Sequence, residues 1–335
     1  MIKRIQLLNR SQRLVIFLLM FGGVLMGLVA LTLLLYSLTL NAGSRLMAVP
    51  AIEGITVREF VQLPGDDAYP SALAVAADGV VYTASYQTGA VWQISPEGEL
   101  LELPDTREQI GSVTGLAVDG QNVLYILDRL DPNPNAAGGM IWQWTAETGL
   151  QAFNEQDAGF VSPSDITVDE VGNLYVADFG RREVWRIEPN GAASLWWVPP
   201  DVELSNVRPT GLDYHAGMLY VTDSIQDTIY RFVADDPAQT EQVYRHHFPG
   251  ETPGYDGIAV ADDGTIYIAT LEMGVMRLTI GEDVEVIARD FRGSSDLDVF
   301  GNLIYVTNFD SRSLYDVFLN PQLPFALDVI TLGVD

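Results

Sequence analysis

The chain has 335 residues with no cysteine and three histidines, and its 18 basic residues stand against 45 acidic ones for a net charge of −27. Disulfides, thiolate catalysis and cysteine-bound zinc are thereby excluded, and Lys3 is the only side-chain amine for a Schiff base or a phosphate contact. Five of the basic residues and none of the acidic ones precede residue 46, so residues 46–335 carry 13 basic against 45 acidic, a field that disfavours nucleic acid and anionic lipid and attracts cations.

Residues 1–13 contain Lys3, Arg4, Arg10 and Arg13, and residues 14–40 (LVIFLLMFGGVLMGLVALTLLLYSLTL) contain no charge at all. About 20 apolar residues cross a bilayer as a helix, whereas the apolar part of a signal peptide runs roughly 7–15 residues before a small-residue cleavage site. The expectation is an uncleaved transmembrane anchor over 14–40. With only Arg45 close behind it, the excess of positive charge on the N-terminal side places residues 1–13 in the cytoplasm. That makes a single-pass plasma-membrane protein with the remainder extracytoplasmic, joined to the anchor by a linker over 41–55.

The stretch PSDITVDEVGNLYVADFGRREVWRIEPNG at 163–191 then recurs, with copies beginning at Pro70, Val113, Pro209, Tyr255 and Ser294. Aligned on the residue before the first apolar run, the copies start at Ser71, Thr114, Ser164, Thr210, Asp256 and Ser295. A near-constant period marks a repeat architecture in which each unit buries its face against its neighbours. Within a unit, period-2 runs such as Ile166 and Val168, then Leu174 and Val176, alternate with Asp, Gly and Asn turns, followed by a third run at 184–187 and a fourth at 194–198. Six units of four antiparallel strands predict an all-β fold, a six-bladed β-propeller over 56–335 preceded by a single transmembrane helix. Residues 56–63 read as an outer strand closing the ring on the last blade. Residues 325–331 also read as a strand, and the pattern leaves open which of the two completes blade six.

Strand direction places the start of every first strand, and the loop after every second strand, on one face with the channel mouth. That mouth face gathers Ser71, Thr114, Ser164, Thr210, Asp256 and Ser295, with Asp165 and Asp296 one residue further along. Three carboxylates backed by hydroxyls suit a hard cation, and Asp165 and Asp296 equally suit capping of nearby backbone N–H groups. The Asp ending the second strand at Asp128, Asp178 and Asp223, matched by Asn308, recurs and reads as a fastener of the adjoining turn. Residues 129–139 (RLDPNPNAAGG) form an insertion unique to blade two, either a lid or contact loop for a partner or a solvated excursion. His246 and His247 approach the same face, and as strand neighbours they point opposite ways. The tryptophans fall on third and fourth strands, where large rings fill the gaps between blades.

The repeated P-x-G-[IL]-x-V-x-x-x-G-x-[IL]-Y-[VI]-x-D pattern resembles the NHL-repeat and regucalcin/gluconolactonase superfamily of six-bladed propellers. The anchor with a propeller also resembles membrane-bound strictosidine-synthase-like proteins. The gluconolactonase resemblance implies a divalent cation, most often calcium, at the mouth. Its ligand positions fall on Ser71, Thr210 and Asp256, with Ser164 near the substrate. Of these only Asp256, in Tyr255-Asp256-Gly257, keeps the family's residue type.

Two functions follow as expectations. The first is a membrane-anchored propeller that binds a small molecule or a protein partner at its mouth, lined by Ser71, Thr114, Ser164, Thr210 and Ser295, and takes no nucleic acid. The second is a metal-dependent hydrolase of lactones or related esters, with Asp256 and Asp165 in catalysis and Asp256, Asp296 and Asp165 on the metal.

Overall fold

A computed structural model describes residues 9–40, 46–153, 159–199, 206–316 and 318–333, the side chains of 37–40 excepted. The chain divides into two compact units, one formed by Met1–Arg45 with Arg312–Asn320 and the other by Leu46–Ser311 with Pro321–Asp335.

The first unit carries a helix over Arg10–Leu40. Asn9 caps it, its side-chain oxygen accepting the Gln12 N–H at 2.9 Å while Gln12 returns a bond to the Asn9 N–H, which satisfies donors that a helix start leaves free. Its 10–36 portion is long and apolar enough to cross a bilayer, a length and composition shared with signal sequences.

In the second unit the alternation of apolar residues with Asp-Gly and Asn-Gly turns becomes six antiparallel sheets in chain order, five of four strands and one of five. The first strands are Pro70–Val75, Val113–Val118, Pro163–Val168, Pro209–His215, Tyr255–Val260 and Leu297–Phe300. Consecutive first strands pack side by side, and the first strand of blade six returns to that of blade one, which is a six-bladed propeller.

Both strands that the sequence left in competition belong to blade six. Ala326–Thr331 is its third strand and Thr56–Gln62 its outermost, paired antiparallel from Thr56↔Thr331 to Gln62↔Ala326. The two chain ends of the disc thus close the ring and remove its open edges. Within the segment read as a linker, Val49–Pro50 adds a fifth strand to blade five, opposite Arg289 and Ala288.

The core lies between the blades. Tyr175, Trp197, Leu212, Tyr230 and Phe232 bury together where blades three and four meet, with Trp197 stacked on Phe232 at 5.5 Å. Trp196 and Trp197 donate their indole N–H groups to the Ala234 carbonyl and to Thr240, so these rings both fill the widening gap and fasten it.

Every second strand ends in a side chain that holds the loops of the mouth face. Asp128 accepts the N–H groups of Gly111, Ser112 and Leu130. Asp178 accepts those of Val161, Ser162 and Arg181, and Asp223 those of Arg208, Ile225 and Gln226. Asn308 accepts Arg292 N–H, and Ser85 and Thr270 do the equivalent for Gln87 and Met273.

Candidate functional site at the channel mouth

The first strand of each blade presents an open edge to the channel, and its N–H and C=O groups need partners. Two layers of side chains supply them. In the upper layer Ser71 donates its hydroxyl to the Val113 carbonyl at 2.8 Å, Thr114 to Pro163 at 3.1 Å and Ser164 to Thr210 at 2.9 Å. Thr222 donates to the Asp256 carbonyl, the Gly257 N–H to Ser295, and the Ser295 hydroxyl to Ser71. All six seams of the ring are therefore hydrogen-bonded in this layer.

The lower layers use carboxylates as acceptors. Asp165 takes the N–H of its own neighbour Ile166 at 2.8 Å and that of Leu212, in the next blade, at 2.7 Å. Asp296 does the same with Leu297 at 2.9 Å and with Leu73 of blade one at 2.6 Å. Two residues beyond Asp296, Asp298 takes the N–H groups of Val75 and Val299, both at 2.7 Å, and at the equivalent position of blade four Asp213 takes the Val260 N–H at 2.8 Å. Space for Asp165 and Asp296 comes from glycines in the preceding blades: a Cβ on Gly115 would lie 2.9 Å from Asp165 Oδ1, and one on Gly257 2.4 Å from Asp296 Oδ1.

These four aspartates line a cavity of about 160 Å³ along the axis, with no basic side chain in its wall. Burial disfavours their charged forms. It raises Asp213 to about 7, helped by Asp298, and Asp298 to about 6, against the opposing pull of their backbone N–H bonds. Burial likewise pushes Asp165 and Asp296 well above the carboxylate range, and Asp296 also feels Asp165 and Asp256.

Asp256 differs from the other four. It sits at the ring position filled by hydroxyls in the other blades, and among the described residues its carboxyl accepts no hydrogen bond. Burial alone raises it to about 7.

The residues expected to form the site thus converge on the mouth and channel, but most are occupied with the scaffold. Ser71, Thr114, Ser164 and Ser295 bridge blades, and Thr210 donates to the Arg208 carbonyl and bonds to Ser224. The calcium set implied by the gluconolactonase resemblance does not fit this arrangement. Its hydroxyl members are committed to carbonyls, both oxygens of Asp165 and Asp296 hold backbone N–H groups, and among the described residues no group of three His, Cys, Asp or Glu is placed to hold a metal ion.

The histidines contribute nothing to the mouth ring. The His246 side chain is buried and bonded to Glu251 at 3.1 Å, and His247 stacks on Phe248 at 4.6 Å. Residues 129–139 are fastened rather than free, since Arg129 Nη2 donates to the Pro134 carbonyl at 2.7 Å and the Gly138 N–H to Val161, and the insertion is not unique to blade two: in blade six the connection between Leu303–Thr307 and Ala326–Thr331 is longer.

Neither a family model nor a curated protein sequence matches the chain. Solved structures do. Virginiamycin B lyase from Staphylococcus aureus, in a catalytically inactive form with quinupristin, is 14% identical with a TM-score of 0.56, over 83% of this chain and 99% of that one. A gluconolactonase from Xanthomonas campestris is 17% identical with a TM-score of 0.59, over 87% and 99%. Nidogen in its complex with laminin is 16% identical with a TM-score of 0.55, over 88% and 100%. At these identities the likeness is one of fold, shared by two enzymes and a protein-binding module.

Proposed function

We propose that the propeller is a ligand-binding module, displayed outside the cell by the 10–40 helix, that takes a small molecule or partner at its mouth. Asp256 carries this reading: among the described residues its carboxyl accepts no hydrogen bond, in a ring whose hydroxyls are all engaged with the scaffold. A binding group free of scaffold duty is what a ligand site requires.

Unfolding of the full-length chain in detergent, followed against a panel of neutral sugars, lactones and small amides, tests it. A compound that binds only the folded state at a hundredfold excess over Kd stabilises by about 2.7 kcal/mol, and Asp256→Ala should remove the gain. A variant and wild type that respond alike would take Asp256 out of the site. Calcium or manganese added after chelation is expected to leave the midpoint where it was.

A second reading rests on the position of the Asp256 carboxyl near 7, where a general base works best at neutral pH. Asp256 would take a proton from water as the water oxygen attacks the carbonyl carbon of a lactone or ester, and return it to the departing alkoxide. Turnover of a lactone and aryl-ester panel, lost in Asp256→Asn, is the expected outcome. No turnover by wild type would end that reading and leave the binding one in place.

A further inference from the structure

Four arginines of the disc meet a carboxylate: Arg107 lies 3.0 Å from Glu102, Arg181 2.9 Å from Glu183, Arg231 2.7 Å from Glu241 and Arg277 2.5 Å from Glu285. Arg129 is the reverse case. It is 9% exposed, yet its guanidinium bonds only to neutral groups among the described residues. Nη2 donates to the carbonyls of Pro134 at 2.7 Å and Ala136 at 3.5 Å, Nη1 reaches the Tyr86 hydroxyl at 3.5 Å, the edge of hydrogen-bond range, and Nε is buried with no partner. A buried charge without a counter-charge is strongly unfavourable. In a chain with 45 carboxylates, selection for stability alone had ample means to supply one.

The position explains the vacancy. Arg129 directly follows the second strand of blade two, on the mouth face, where the equivalent residues of blades one and six are Tyr86 and Phe309, packed on each other at 5.3 Å. The blade-two insertion curls back to hold the guanidinium through two carbonyls. In a ring of six, blade two stands opposite blade five, the blade of Asp256.

We infer that Arg129 binds an oxyanion, so that the ligand of the mouth carries a carboxylate or a phosphate whose oxygens take the Nη1 edge beside Tyr86. Such charge-assisted bonds are roughly twice as strong as neutral ones. This rests on the reading of the mouth as a ligand site and adds the chemical class of what enters it.

The test is the unfolding midpoint of the full-length chain in detergent, titrated with inorganic phosphate or succinate against sodium chloride at matched ionic strength. At saturation one of the two is expected to raise the midpoint by about 2 °C or more, and the stronger of them tells phosphate from carboxylate. Arg129→Gln should lose the response. Arg129→Lys, which keeps the charge but not the planar fork, should weaken Kd at least about tenfold, and it decides the matter if the glutamine variant does not fold. No response above chloride in wild type, or a Kd unchanged in the lysine variant, overturns the inference. Stabilisation by a neutral compound but by neither oxyanion would sink it while the mouth reading stands; no binding of any kind would remove both.

Discussion

The two layers that tie the blades together do the same work with opposite chemistry. In the upper layer, hydroxyls donate to carbonyls across the seams; in the lower layers, carboxylates accept N–H groups. The first is neutral and indifferent to pH, while the second concentrates titratable charge in a narrow, basic-free channel. The upper layer should therefore be cheap to cut and constant with pH, the lower one expensive and pH-dependent. Asp296→Ala is the largest test. It orphans the buried N–H groups of Leu73 and Leu297, each costing about 1–3 kcal/mol, so a loss of about 3 kcal/mol is expected in denaturant unfolding. A loss under about 1 kcal/mol would mean that the bond across the closing seam is not structural.

The second test is pH itself. Asp213 and Asp256 at about 7 and Asp298 at about 6 have folded values raised above the ordinary carboxylate range. The folded state then holds more protons than the unfolded one between about pH 4 and 7. Their stabilising contribution is fully present below about pH 4 and is lost as pH rises through 6 to 7. The unfolding midpoint should accordingly be higher at pH 5 than at pH 8, by the equivalent of about 2–3 kcal/mol from each of Asp213 and Asp256 and about 1 kcal/mol from Asp298, and Asp213→Asn should flatten the slope. A midpoint that rises from pH 5 to 8 would contradict the lower-layer picture.

The sequence made the disc readable because the same turn chemistry and alternation occur six times, so a weak signal in one copy is corrected by the others. Its closure was readable only in part: 56–63 and 325–331 both have strand character, and nothing local says that they pair with each other. Alignment brings Ser71, Thr114, Ser164, Thr210, Asp256 and Ser295 to one ring position, but the use of its hydroxyls depends on carbonyls of another blade, about 45 residues away in the period, which no local pattern reveals. Asp213 and Asp298 carry a sequence signal of their own. They occupy the strand position filled by Ala74, Ala117, Thr167 and Ala259 in the other blades, and a carboxyl in a column of small uncharged residues marks either a site or a strut. In the sequence Arg129 is only the first residue of a loop; its burial and its bonds to neutral groups are visible only in three dimensions.

Ser71→Ala probes the upper layer with a smaller effect. It removes one hydroxyl bond to Val113, and the net value of such a bond is about 1 kcal/mol. The loss should be the same at pH 5 and pH 8. A loss that changed with pH would show that the two layers are coupled rather than separate.

The smallest expected change is the most diagnostic. Asp256→Asn removes a carboxyl that holds no backbone N–H, so unlike Asp296 it has no structural bond to lose. Stability at pH 5 should stay within about 0.5 kcal/mol of wild type, as for substitutions away from buried networks. At pH 8 the variant should be more stable than wild type, because the charge that burial disfavours is gone. Set beside Asp296→Ala in the same denaturant series, this separates a carboxyl that braces the ring from one available to a ligand. If Asp256→Asn instead costs more than about 1 kcal/mol at both pH values, Asp256 is another strut, and the binding function must be sought on the Arg129 side of the mouth.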